Sequence, residues 1–313
     1  MAAAAQPGSP PLSVVLRGSA GRRRREQIIR AIFFGAASLS ILVSIFIVLS
    51  LIFEAINFLA QIGLDQLVAL GWFPRRGLFD LRTLFVGSVI TTGIAILVAG
   101  PIGLGTAIYL SEYAQPRVRR IVKPILEILA GIPSVVLGFF ALTWINPQLV
   151  QRLNPGAEGF NLMAAGIGVG VLIIPLIASV SEDAMRAVPR SLREASYGLG
   201  ARRITTSLRV VFPAAISGIT AAFIIGISRG IGETMVLAIA AGGSGGSIFQ
   251  LNPFEPGQSI TAAIAALATG TDQVRGASAA FPSLFFLGLI LFFLTLSLNL
   301  AGDVFVRRTR QRY

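Results

Sequence analysis

No charged side chain occurs between Ala31 and Phe53. Wound as an α-helix at 1.5 Å per residue, this stretch is longer than the ~30 Å hydrocarbon core of a bilayer. A helix satisfies its backbone polar groups within its own segment, which is what lipid demands. Further spans are expected at roughly 84–110, 121–145, 161–181, 213–241 and 281–302. Only 13% of the residues are charged, about half the share found in soluble domains. The fold class read from this pattern is an all-α integral membrane protein with six transmembrane helices.

The formal net charge of +12 raises nucleic acid as a partner, but the basic residues sit in short clusters beside apolar runs. That pattern orients membrane helices and is not a solvated nucleic-acid face. With both termini cytoplasmic, the inside segments hold Arg17, Arg22–Arg25, Arg30, Arg117, Arg119, Arg120, Lys123, Arg186, Arg190, Arg193, Arg202, Arg203, Arg209, Arg307, Arg308, Arg310 and Arg312. The outside loops hold only Arg75, Arg76, Arg82, Arg152 and Arg275. The asymmetry fixes the expected orientation. The chain has no Cys and no His, which excludes disulfides, imidazole bases and the usual zinc sites.

Residues 1–25 read as a disordered cytoplasmic tail, rich in Ala, Pro, Gly and Ser and ending in arginines. The following run is too long for a signal h-region and no small-residue cleavage site follows it, so 26–80 reads as the first transmembrane helix and an outer loop. Residues 81–303 form the main transmembrane domain and 304–313 a basic cytoplasmic tail. The Gly- and Pro-rich spans, with Gly131-Ile132-Pro133, Gly166, Gly168, Gly170 and Pro175, suit close helix packing. Ser259–Ala268 is apolar but too short to span, and reads as interfacial or re-entrant.

The most informative stretch is 181–213. Pro189 breaks the preceding helix. Ser191 and Glu194 form a capping-box pattern that starts a short helix near Leu192, and Gly198 and Gly200 end it. A second short helix follows from Ala201, and Pro213 suits the first turn of the next span. A basic amphipathic connector on anionic headgroups is the bland alternative. The chain has no P-loop, since its only lysine, Lys123, lies between Val122 and Pro124. Energy must therefore come from a partner or an ion gradient.

Arg229 and Glu233 interrupt the fifth apolar run. Intramembrane charges cost ~2.5–3.5 kcal/mol each on insertion scales and are functional candidates by default. Four residues apart on a helix, they share a face and can pair. Gly226 and Gly230 share that face and make it small as well as polar. Arg offers a fork of donors suited to an oxyanion, and Glu233 can accept a proton-bearing oxygen. A self-neutralising pair that fixes packing is the alternative. Ser134, after Pro133, is a further candidate for a pathway. Pro213 and Arg229 are ~24 Å apart along a helix, so the loop has a rigid route to this step. No catalytic constellation is present.

Glu194-Ala195-Ser196, Gly200, Val210, Phe212 and Pro213 together resemble the EAA loop of ABC importer permeases. The chain departs from that pattern at Ser196, Val210 and Phe212. The stretches Ala107–Tyr113, Leu129–Val135, Gly138–Ala141, Ile177–Asp183, Val188–Glu194 and Arg229–Met235 narrow the resemblance to the PstC-type permeases of phosphate ABC importers. The resemblance implies a type I ABC importer permease fold in the plasma (inner) membrane. Its cytoplasmic coupling helices, at 191–205 with Ser191, Glu194, Ala195, Gly200 and Pro213, would dock an ATPase. It further implies a homologous permease subunit as heterodimer partner, two ATPase subunits and an extracytoplasmic phosphate-binding protein. No cofactor is expected in this chain, with ATP and Mg held by the partner ATPase, and the chain itself is not an enzyme. Importers of sulfate, molybdate or phosphonate, an ion-gradient-driven transporter and a membrane scaffold stay open as alternatives.

Overall fold

A computed structural model describes residues 20–68, 71–243, 246–269 and 279–309. The chain divides into two units, at Phe53 and Glu54. The first unit is the leading part of helix α1 (Ala20–Gln61). Many of its apolar side chains are exposed, and Ile32, Phe33, Phe46 and Phe53 are more than 60% exposed. A helix apolar on all sides is one that lipid covers. The helix starts at Ala20, so the expected disordered tail is helical over 20–25, and residues 1–19 lie outside those described. Arginine is a good helix former, and extending an existing helix is cheap compared with nucleating one.

The second unit begins at Glu54. A two-residue hairpin, β1 (Trp72–Phe73) and β2 (Leu78–Phe79), pairs Trp72 with Phe79 in antiparallel register. Helix α2 (Leu81–Tyr113) follows, with Asp80 accepting hydrogen bonds from the Arg82 N–H at 3.1 Å and the Thr83 hydroxyl at 2.9 Å. Helices α3 (Pro116–Ala130) and α4 (Ser134–Leu153) come next, then α5 (Leu162–Arg186) and α6 (Arg190–Gly198). Helix α7 (Arg203–Ile231), two short helices α8 (Met235–Ala240) and α9 (Ile260–Ala268), and α10 (Ala280–Thr309) complete the described chain.

Among the described residues, five helices are long and apolar enough to cross a membrane. The span expected at 121–145 is instead the pair α3 and α4, bent by 88°. The bend falls at Gly131-Ile132-Pro133, where proline removes a donor and clashes with the preceding turn. Counted as one broken span, the pair makes the sixth. The span expected at 213–241 also differs, because α7 ends at Ile231 and α8 resumes at Met235. Helix α9 is buried along Ile260–Ala263. The Ile260 N–H donates to Ser88 Oγ of α2 at 3.0 Å. The re-entrant expectation for this segment therefore has protein, not headgroups, as its surroundings.

The centre of the unit is the packing of α2 on α5. A Cβ added to Gly166 would stand 2.8 Å from Ile94 Cβ, and one on Gly103 would stand 3.0 Å from Ile177 Cβ. Small residues let these backbones approach, and in lipid such packing replaces the hydrophobic drive. Gly166→Leu is accordingly expected to destabilise the unit by about 1–3 kcal/mol through overpacking. A lower midpoint of thermal unfolding in detergent checks it, and an unchanged midpoint would count against this close approach.

Among the described residues, three helices contain wide turns in which hydrogen bonds reach back five residues. Ala114 N–H bonds to Tyr109 O at 2.8 Å, and similar turns occupy Ala141–Val150 and Ser207–Val211. Pro147 lies within the second and Pro213 just beyond the third, and a missing proline N–H opens the ordinary ladder.

Candidate functional site

Helix α6 is the first arm of the loop. Its N-cap is Pro189, and no side chain caps it. The capping box expected from Ser191 and Glu194 does not form, because the helix begins at Arg190 and leaves Ser191 inside the first turn. The end of the helix is closed by Gly200 alone, at φ 78°. The Gly200 N–H bonds to Tyr197 O at 2.9 Å and the Ala201 N–H to Ser196 O at 3.1 Å. This is the paired-bond termination that requires a left-handed residue, and Gly198 stays helical. The second arm is no separate helix. It starts at Arg203 and continues as α7 to Ile231, so one rigid rod joins the loop to Arg229.

Helix α6 turns one face to the spans. Leu192 packs against the buried cluster that contains Met185, Val188 and Val211. Ser196 Oγ lies 2.8 Å from Thr206 Oγ1. Arg193 makes the strongest link. It donates to Glu112 Oε1 at 2.9 Å, to Met185 O at 2.9 Å and to Val188 O at 2.7 Å. Glu112, at the end of α2, is buried. The opposite face leaves Ser191, Glu194 and Ala195 exposed, with Tyr197 43% and Leu199 89% exposed. An exposed apolar tip therefore lies beside an exposed carboxylate. Gly200 and Pro213 are exposed as well.

A second ionic group stands beside it. Glu182 of α5, fully buried, meets Arg119 Nε at 2.7 Å and Lys123 Nζ at 3.0 Å, both from α3. Lys123 also bonds Asp183 at 2.6 Å. Burying a charge is tolerated only with such partners. The network clamps α3 to α5 at the end of the bundle that carries α6.

The charged step inside the spans is arranged differently from the expectation. Gly226 and Gly230 are buried, and a Cβ on Gly226 would sit 3.1 Å from Ile173 Cγ2 of α5. Arg229 lies on the exposed side of α7. Among the described residues no ion pair joins it to Glu233 or to another carboxylate. The helix ends at Ile231, so the i,i+4 relation no longer holds at Glu233. Glu233 sits in the break, 8% exposed. Its N–H bonds to Gly230 O at 3.3 Å, and its carbonyl accepts from Thr261 Oγ1 at 2.6 Å. Gly230 and Gly232 weaken the helix here. Ser134, half-buried, opens α4 at the bend and joins neither group.

Sequence reasoning missed the polar lining around the break. Ser88, Thr91 and Thr92 of α2 are buried, as are Thr261 of α9 and Ser259, which caps that helix. Thr92 Oγ1, without a partner among the described residues, would lie 3.7 Å from a Cβ on Gly230. The spacing of Ser88, Thr91 and Thr92 on one helical face was the available signal.

Residues 99–311 match the family model of the binding-protein-dependent transport system inner membrane component. The phosphate transport system permease protein PstC of Haemophilus influenzae is 31% identical over 85% of this chain and 88% of its own length. PstC of Mesorhizobium japonicum is 33% identical over 76% of each chain. The probable ABC transporter permease YqgH of Bacillus subtilis is 34% identical over 64% of this chain and 65% of its own length. Among solved structures, the bacterial alginate ABC transporter in complex with its periplasmic protein superposes with a TM-score of 0.63 at 17% identity. That match covers 92% of this chain and 96% of the other. The fold, the loop and the extent of these matches together make the chain a member of the binding-protein-dependent transport system inner-membrane component family, the permeases of ABC importers.

Proposed function

We propose that this chain is the transmembrane permease subunit of an ATP-driven importer for inorganic phosphate, working by alternating access. Permeases of this family are membrane transport components that act with ATPase and binding-protein partners. The finer assembly proposed is a heterodimer with a homologous permease, two ATPase subunits carrying ATP and Mg, and an extracytoplasmic phosphate-binding protein. Both termini are assigned to the cytoplasm from the excess of basic residues on the side of the loop.

The observation that carries the reading is Arg229, a guanidinium exposed on a membrane-spanning helix with no ion-pair partner among the described residues. Such a charge cannot face lipid cheaply. A second permease subunit standing against that face would turn it into the wall of a pathway. There the planar fork would hold two oxygens of hydrogen phosphate, and Glu233 at the break would accept the phosphate O–H. Sulfate carries no proton for Glu233 to accept. The relatives named for phosphate transport agree with this choice. Closure of the ATPases would move α6, and the rod from Arg203 to Ile231 would carry that motion to Arg229.

The test is uptake of labelled phosphate into proteoliposomes holding the full complex, with the binding protein on the opposite side from ATP. Uptake that requires ATP and resists excess sulfate is expected. Uptake driven by an ion gradient alone, or equal uptake of sulfate or molybdate, would sink the reading.

A further inference from the structure

A cavity of about 730 Å³ opens at the loop end of the bundle, between the end of α2, α3, the end of α5 and the start of α6. Its lining carries six cations, Arg119, Arg120, Lys123, Arg186, Arg190 and Arg193, against the single lining carboxylate Glu127. Four of these cations are already engaged. Arg119, Lys123 and, at 3.9 Å, Arg186 surround Glu182, while Arg193 holds Glu112. Arg120 and Arg190 are exposed and have no partner among the described residues. The cavity therefore holds two guanidiniums that no carboxylate pairs among the described residues.

We infer that this cavity binds a phosphate group, presented by an anionic phospholipid headgroup or as free phosphate. Arginine forks match phosphate oxygens in planar pairs, where lysine offers only a point charge. Leu110, Ala114, Pro116 and Pro124 add an apolar wall to the same cavity, which suits the glycerol and upper acyl region of a lipid. Basic hollows between spans on the cytoplasmic side are sites of this kind. The cavity is distinct from the ATPase docking face, since Glu194, Ala195, Tyr197 and Leu199 take no part in its lining. The free-phosphate source rests on the proposed importer reading, as a site at the exit of the pathway. The lipid source does not.

The experiment uses the assembled complex in nanodiscs of phosphatidylcholine, alone or with phosphatidylglycerol. Retained lipid is read by native mass spectrometry, and inorganic phosphate binding by phosphorus NMR. Arg120→Gln and Arg190→Gln remove side chains that make no hydrogen bond within the described chain. Arg117→Gln and Arg209→Gln remove equal charge from exposed positions outside the lining. Each cavity variant is expected to weaken binding roughly 10-fold, the effect of one charged hydrogen bond, while the two controls leave it within about twofold. Arg120→Lys is expected to recover part of it. Retention of phosphatidylglycerol that the cavity variants abolish assigns the lipid source. Binding of inorganic phosphate in pure phosphatidylcholine, lost in the same variants, assigns the free anion. Binding of neither probe overturns the inference, and so does binding that the cavity variants and the controls reduce alike. Because binding is read without transport, its failure is separable from failure of the importer reading.

Discussion

Replacing Arg229 by alanine is expected to abolish most phosphate uptake while leaving the assembled complex intact. Truncating one side of a desolvated charged contact costs about 2–5 kcal/mol, so uptake at low phosphate should fall at least roughly 30-fold. Arg229 makes no ion pair among the described residues, so its loss should not unfold the chain. Arg229→Lys keeps the charge without the fork and is expected to fall between the two. Glu233→Gln should cost less in rate but should narrow the preference for phosphate over sulfate, since an amide still accepts one hydrogen bond. Initial rates in proteoliposomes, normalised to complex present, measure all three. Full uptake by Arg229→Ala would remove this residue from the pathway.

The second large effect is expected at the other end of the rod. Arg193 ties α6 to Glu112 and to two backbone carbonyls. The pair is nearly closed to solvent, at 17% and 3% side-chain exposure. Removing one partner of a buried pair costs about 3–5 kcal/mol. Arg193→Ala should leave the exposed face of α6 available for docking, but without its grip on α2. The expected result is ATP hydrolysis that continues while uptake falls, a change in phosphate moved per ATP split. A simple loss of stability would lower both together. Glu112→Ala should behave alike, and the double variant should be little worse than either, because each already breaks the same contact. Additive losses would show that the two residues act separately.

The membrane class was legible because long apolar runs with flanking arginines admit few other readings. The loop was legible because Pro189, Gly200 and Pro213 each constrain the backbone where they stand. Its details were not. Gly198 and Gly200 look alike as helix breakers, and only hydrogen bonding at Ser196 and Tyr197 shows which one takes the left-handed turn. Helical spacing put Gly226 and Gly230 on the face of Arg229, but packing on α5 buries the two glycines and leaves Arg229 exposed, and the position of Glu233 could not be drawn from spacing either. The carbonyl of Glu233 is held by Thr261, 28 residues further along the chain. Glu112 and Arg193 are 81 residues apart, a separation that no local pattern spans. The bend at Gly131-Ile132-Pro133 stood in plain view, yet proline is common in straight membrane helices, so the residues alone did not decide between kink and fold-back.

The wide turn at Ser207–Val211 carries a lesson about insertions and deletions. Such a turn holds one residue more than an ordinary helical turn. Deleting a single residue from it would restore the regular ladder and leave everything downstream facing nearly as before, because one wide turn and one ordinary turn sweep almost the same angle about the axis. Arg229 would keep its exposed flank. The same deletion in a regular stretch of the rod would swing the charged face by about 100°. When homologous chains are aligned through this stretch, a one-residue gap placed in the wide turn therefore preserves the face, and one placed a few residues further on does not.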